Sequence, residues 1–184
     1  KFAELLAKKT NNTVKVDIYP SGSLSGGNTR TMLEQLQSGA VDMTIHSTII
    51  YTGFDNKFSV FSLPFLFPDR PIGHKTVDGP LGEEMLSGLE KIGIKGLAYW
   101  ESGFRELTNN KRPVVTPADL AGLKIRIPEI KLFISAFRVL KADPTVMTFG
   151  EVFTALQQGT IDGQENPATI IHSSKLYEVQ KYLT

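Results

Sequence analysis

A chain of 184 residues, 41% hydrophobic and 21% charged, has the make-up of an ordinary globular α/β protein, with room for one large domain or two small ones. Its 20 Lys and Arg against 19 Asp and Glu leave a net charge of +1, so no basic excess points to nucleic acid. No apolar run nears the ~20 residues that cross a bilayer, and the lack of cysteine excludes disulfides, thiolate metal sites and Cys nucleophiles.

In chain order, Lys1 to Lys9 reads as a helix already in progress. Phe2, Leu5 and Leu6 share a face, and Lys8 and Lys9 sit near its end, where cations suit the helix dipole. The closing LYEVQKYLT is also helix-like. Both ends are therefore expected to lie inside a longer protein, and a signal peptide would not be visible here. Val14 to Tyr19 alternates like a half-buried strand, and Pro20 to Gly27 is a loop by composition. Asn28 or Thr29 caps a helix carrying Met32, Leu33, Leu36 and Ala40 on one face. Val41 to His46 is the next strand, so strand, helix, strand suggests a βαβ unit and a parallel sheet. SLPFLFPD, residues 62–69, is expected to be a buried connection. Two short helices follow near 72–78 and 81–91, then a strand over Gly93 to Trp100. TPADLAG has a Thr cap, a Pro at the first helical position and a Gly stop, so it predicts one helical turn.

The remainder repeats the pattern. Strands are expected at Lys124 to Ile127, Pro144 to Met147 and Thr160 to Gln164, with helices over Ile130 to Leu140 and Gly150 to Gln158. This predicts two α/β lobes, residues 1–102 and 103–184, joined near 100–105, a common setting for a ligand cleft. Two of the strands end in polar groups, Arg126 on one and Glu165 and Asn166 on the other. A guanidinium and a carboxamide at neighbouring strand ends can hold a carboxylate, because the planar Arg fork matches its two oxygens.

The strings YPSGSLSGG, MLEQLQSGAVDMT, FSLPFLFPD, WESGFRELTNNKRPV, TPADLAGLKIRIP and TFGEVFTALQQGTIDGQENP together resemble the extracytoplasmic solute-binding proteins of TRAP (tripartite ATP-independent periplasmic) transporters, the dicarboxylate-receptor or DctP type. The likeness runs through essentially the whole chain, with the motifs in the same order. It implies a periplasmic-binding-protein-like α/β fold, two lobes with a hinge and a cleft between them. It also implies a periplasmic, monomeric receptor that is not an enzyme and needs no cofactor or metal. Such a receptor closes on a small organic acid and delivers it to a membrane permease driven by a sodium gradient. By the resemblance, the carboxylate-binding arginine falls on Arg126, an asparagine contact on Asn166, a second arginine on Arg105 and an aromatic ligand contact on Phe149. The first-lobe contacts fall on His46 and Ser47.

Each residue also has a plainer reading from its type alone. Arg126 is then an edge-strand surface arginine, Asn166 a turn residue before Pro167, and Phe149 a core aromatic. Arg105 becomes a partner for Glu101 or Glu106. Glu165 either orients Arg126 or Arg105 or braces the hinge. Trp100 belongs to the core or to the cleft. His46 is a structural histidine unless its place at the open end of a strand, where α/β folds bind ligands, puts it in the site. His74 and His172 fall on helix surfaces. SGSLSGG lacks the Lys-Ser/Thr of a phosphate loop. No GxSxG or HExxH supports an enzyme built on Glu165, His46 or Ser47. C4-dicarboxylates are the first expectation for the ligand, since two arginines can hold two carboxylates. Sugar acids, keto acids and sialic acid are the alternatives, as is a ligand-sensing subunit that signals to a membrane sensor.

Overall fold

A computed structural model describes residues 1–184, the side chain of Ser21 excepted. Its helices are α1 (Phe2–Lys9), α2 (Thr29–Ser38), α3 (Arg70–Val77), α4 (Pro80–Gly88), α5 (Lys131–Val139), α6 (Val152–Gln158) and α7 (Ala168–Ser173). The strands are β1 (Arg105–Asn109), β2 (Lys124–Ile127), β3 (Asp143–Val146), β4 (Gly163–Pro167) and β5 (Tyr182–Leu183). They form one sheet in the order β3-β2-β4-β1-β5. β2 is parallel to β3 and β4, whereas β1 is antiparallel to β4 and β5.

Local chemistry sets the helix ends. Asn28 Oδ1 accepts from the Arg30 and Thr31 amides at 2.9 and 3.1 Å, which satisfies two donors that have no partner inside α2. Gly39 ends that helix at φ 75°, a left-handed conformation that glycine adopts without a Cβ clash. Thr116 and Asp119 form a reciprocal capping box around the single turn Pro117–Leu120.

Strand alternation sorts the sheet's side chains onto two faces. Ile125 and Ile127 are fully buried and pack with Leu123, Val114, Leu120 and Phe133 of α5. Burying a side chain of this size contributes about 1.5–3 kcal/mol. Val152, Ala155 and Leu156 of α6 form a separate core with Ile161, Ile171 and Leu176. A third core, of Leu33, Tyr51, Phe58, Met85, Leu89 and Ile94, holds the first hundred residues together. Ile49, from the turn Thr48–Gly53, joins the cluster around β2 and α5, so the early part of the chain packs against the sheet.

Several expectations are corrected. The strands expected at Val14 to Tyr19, Val41 to His46 and Gly93 to Trp100 have no regular secondary structure among the described residues. Ile18, Ile45 and Leu97 are 65%, 63% and 69% exposed. Alternation makes a strand only where a neighbouring backbone supplies a ladder, and no ladder reaches these segments. Among the described residues, those before 103 contribute helices and no strand to the sheet. Part of SLPFLFPD is solvent-facing, with Phe65 fully exposed at φ 59°.

The last expected strand begins late, at Gly163. Gly159 caps α6 in the left-handed region, and Asp162 is tied to Lys124, accepting from its amide at 2.9 Å. β1, in ESGFRELTNN, was not anticipated. The helix-like LYEVQKYLT instead makes a single turn and then strand β5, because Leu107 and Thr184 exchange backbone hydrogen bonds of 2.7 and 2.8 Å.

Candidate carboxylate-binding site

Arg126 lies on β2, beside Thr145 of β3 and Gln164 of β4 in register. Its flanking isoleucines point into the core, so alternation turns the arginine to the opposite face. Only 4% of the residue is exposed. Both Nε and Nη2 donate to the Met147 carbonyl, at 2.9 and 2.7 Å. The Phe149 ring lies beneath the guanidinium, 5.7 Å from centroid to carbon, a cation–π distance. No carboxylate lies within 4.0 Å of this guanidinium among the described residues. Burial pushes its pKa down to about 10, and the charge of Arg105 adds to the fall while Glu165 opposes it. It stays cationic at neutral pH.

Arg105, at the start of β1, is bonded through Nε and Nη2. Its Nε donates to Glu165 Oε2. Its Nη2 donates to Glu165 Oε1 at 3.0 Å, to the Glu165 carbonyl at 2.9 Å and to Asn166 Oδ1 at 3.3 Å. The guanidinium also sits 5.4 Å from the centre of the Phe133 ring. Glu165 is 5% exposed. Burial raises its carboxyl pKa, while the Arg105 fork and the charge of Arg126 pull it back down. Of the two partners expected for Arg105, Glu101 is instead paired with Arg70 and His74, at 3.0 and 2.8 Å.

A neutral hydrogen-bond chain completes the cluster. Asn166 Nδ2 donates to Gln164 Oε1 at 2.6 Å, and Gln164 Nε2 donates to Thr108 Oγ1 at 2.9 Å. All three residues are buried. Gln164, Thr108 and the Met147 carbonyl were missed in the sequence. Gln164 was legible in principle: it precedes Asn166 by one alternation step, which puts both on one face of β4.

The structure brings Arg126, Phe149, Arg105, Glu165 and Asn166 together at the carboxyl ends of the parallel strands, where open α/β sheets bind ligands. His46 and Ser47 make no hydrogen bond to this cluster. The Ser47 amide donates to His46 Nδ1 at 2.9 Å. The imidazole is solvent-exposed on one side, yet desolvation by the surrounding protein lowers its pKa. Trp100 is 71% exposed. A separate surface cavity of about 240 Å³ lies between Asp55, Lys57, Glu84 and Lys91. It is remote from this cluster and holds no comparable buried charge.

The family described as "Bacterial extracellular solute-binding protein, family 7" (DctP) matches residues 1–184. The chain belongs to this family, the TRAP periplasmic solute-binding proteins. These are binding proteins, not enzymes. It is 41% identical over 184 residues to the 2,3-diketo-L-gulonate-binding periplasmic protein YiaO of Escherichia coli, covering 100% of this chain and 56% of that protein. It is 42% identical over 185 residues to the C4-dicarboxylate-binding periplasmic protein DctP of Rhodobacter capsulatus, covering 100% of this chain and 55% of that protein. A crystal structure of the sugar acid binding protein DctPAm of Advenella mimigardefordensis, in complex with galactonate, superposes with a TM-score of 0.94 at 38% identity. That match covers 99% of this chain and 58% of the other. The chain thus spans little more than half the length of these relatives, as a mixed α/β segment of the periplasmic-binding fold.

Proposed function

We propose that the whole protein is the extracytoplasmic receptor of a TRAP transporter, binding a small organic acid by its carboxylate and handing it to a sodium-driven membrane permease. The observation that carries this reading is Arg126: a buried guanidinium with no carboxylate partner, its fork pre-set by one backbone carbonyl. A cation removed from water without a counter-charge is costly, and a ligand carboxylate supplies the missing charge. Phe149 packs against the same group, and Glu165 and Asn166 hold Arg105 beside it.

The reading includes two lobes, residues 1–102 and 103–184, closing on the ligand as a monomer, with His46 and Ser47 on the first-lobe wall. Two contacts support it. Ile49 packs into the cluster around β2, and a Cβ on Gly27 would lie 3.5 Å from Gly150, next to Phe149. Closure then follows from the ligand's better binding to the closed state.

The test uses the full-length mature protein. Its melting temperature is recorded with uronates, aldonates, keto acids, C4-dicarboxylates, sialic acid and, as controls, neutral sugars. An acid at ~1,000 times its Kd stabilises by about 4 kcal/mol. The expected result is a shift with acids alone that disappears in Arg126→Ala. A shift with neutral sugars, or one that survives in Arg126→Ala, refutes the carboxylate site.

A further inference from the structure

We infer that Gly27 and Gly150 meet as a closure stop: two backbones, with no side chain between them, that set how far the lobes close and thereby how long a bound acid is retained. The inference rests on the reading of the protein as a two-lobe receptor that closes on an organic acid. It gives a role in binding to two residues outside the carboxylate-binding cluster.

The contact lies far from the place where the chain passes between the lobes. The chain crosses near residue 103 and enters β1 at Arg105. Gly150 follows β3, which is an edge strand separated from β1 by β2 and β4. At ~4.8 Å per strand spacing this is a lever arm of roughly 14 Å, so a rotation of roughly 10° about the crossing parts the glycines by about 2.5 Å. A small opening of the cleft therefore breaks this contact completely.

The fit leaves room for a methyl group and little more. A Cβ on Gly27 would lie 3.5 Å from Gly150 Cα, and a Cβ on Gly150 would lie 4.0 Å from both the Gly26 carbonyl oxygen and Gly27 Cα. These are already van der Waals distances, so an atom beyond Cβ on that side collides with the facing backbone. Both partners are braced. The Gly27 amide and Ser25 Oγ donate to the Gly22 carbonyl at 3.0 and 3.2 Å, and Gln35 Nε2 of α2 donates to the Leu24 carbonyl at 3.0 Å. Leu33 anchors α2 in the core of the first hundred residues. Across the contact, the capping box of Thr148 and Glu151 closes around Phe149 and Gly150, and Phe149 lies beneath Arg126. The loop thus bears on the turn that carries the aromatic of the binding cluster. Among the described residues no backbone hydrogen bond joins the loop to that turn, so the contact limits approach and does not itself hold the lobes together.

The experiment uses the full-length protein with galactonate, glucuronate, pyruvate, succinate and sialic acid. Residues 1–184 contain no cysteine, so Gly27→Cys/Gly150→Cys places one thiol on each side of the contact. Oxidised glutathione takes up two electrons and two protons as the thiols join, and the cross-link is read by mass. Cross-linking is expected to run about tenfold faster with an acid that raises the melting temperature, and the trapped acid to dissociate on the order of 100-fold more slowly until dithiothreitol reduces the bond. Gly27 has φ 76°, where a side chain is strained, so a second series leaves it in place. Gly150→Ala, Gly150→Val and Gly150→Phe should dissociate progressively faster, about tenfold at valine, with association changed by no more than about threefold. A cross-linking rate that ignores the acids, a cross-linked protein that releases acid as fast as the reduced one, or a folded Gly150→Val with the native dissociation rate overturns the inference. Failure of the underlying reading looks different: no acid raises the melting temperature of the native protein, or the shift survives in Arg126→Ala, and the inference then falls with it.

Discussion

Replacing Arg126 by methionine should abolish ligand binding yet leave the ligand-free protein as stable as the native one or more so. The fall of the arginine pKa from its ordinary range to about 10 reflects the folded protein's opposition to a buried charge. At about 1.4 kcal/mol per tenfold change in proton affinity, it corresponds to about 3 kcal/mol. Methionine removes that penalty and fills a similar apolar volume beside Phe149. Against the gain stands the Met147 carbonyl, which loses the two bonds it accepts from Arg126, at a cost of about 1–3 kcal/mol. The balance is between zero and about 2 kcal/mol in favour of the variant, the behaviour seen when buried charges are replaced by apolar residues. Thermal or urea denaturation of the full-length protein, with and without saturating acid, reads both effects. The expected pair of results is an unchanged or raised midpoint without ligand and no ligand-induced shift. A ligand-free protein destabilised by more than about 2 kcal/mol, with its ligand shift retained, would mean that Arg126 is a structural residue and that its burial has nothing to do with binding.

Two further outcomes test the frame around the site. Gly163→Ala should destabilise by about 1–3 kcal/mol, because an added methyl would collide with the Thr108 carbonyl oxygen and meet Asn109 Cβ at 2.9 Å. That forces β1 away from β4, and a native-like melting temperature would show that the strands do not approach so closely. Asp119 accepts from the Thr116 and Val115 amides, which lower its pKa. A carboxylate with a lowered pKa stabilises the fold above its unfolded pKa, and the contribution fades as pH falls through the folded value. An NMR titration should therefore place the Asp119 midpoint below the ordinary aspartate range, and Asp119→Asn should flatten the acid limb of the stability curve. A normal midpoint would contradict the capping box.

Short-range features were legible in the amino-acid sequence because their physics is local. Asn28, Thr116 with Pro117, and Gly159 mark helix ends through bonds to residues a few positions away. The run LKIRIP makes β2 with its isoleucines on one face and Arg126 on the other, since period-two alternation needs no knowledge of the neighbours. The motifs from Tyr19 to Pro167 were enough to identify the family, and the matched family spans the whole chain.

Pairing between distant segments depended on tertiary structure. Val14 to Tyr19 and Val41 to His46 alternate as well as β2 does, yet neither joins a ladder among the described residues. β1 alternates poorly but forms, because β4 and β5 flank it. Arg105 had candidate partners close in sequence, and it chose Glu165 on the adjacent strand. The antiparallel register sets Leu107 opposite Glu165 and Arg105 opposite Pro167, which brings the two side chains to one face at the sheet's end. An arginine and a glutamate in a sequence are two charges. The fold makes them a neutral pair, and so leaves Arg126 as the uncompensated cation of the site.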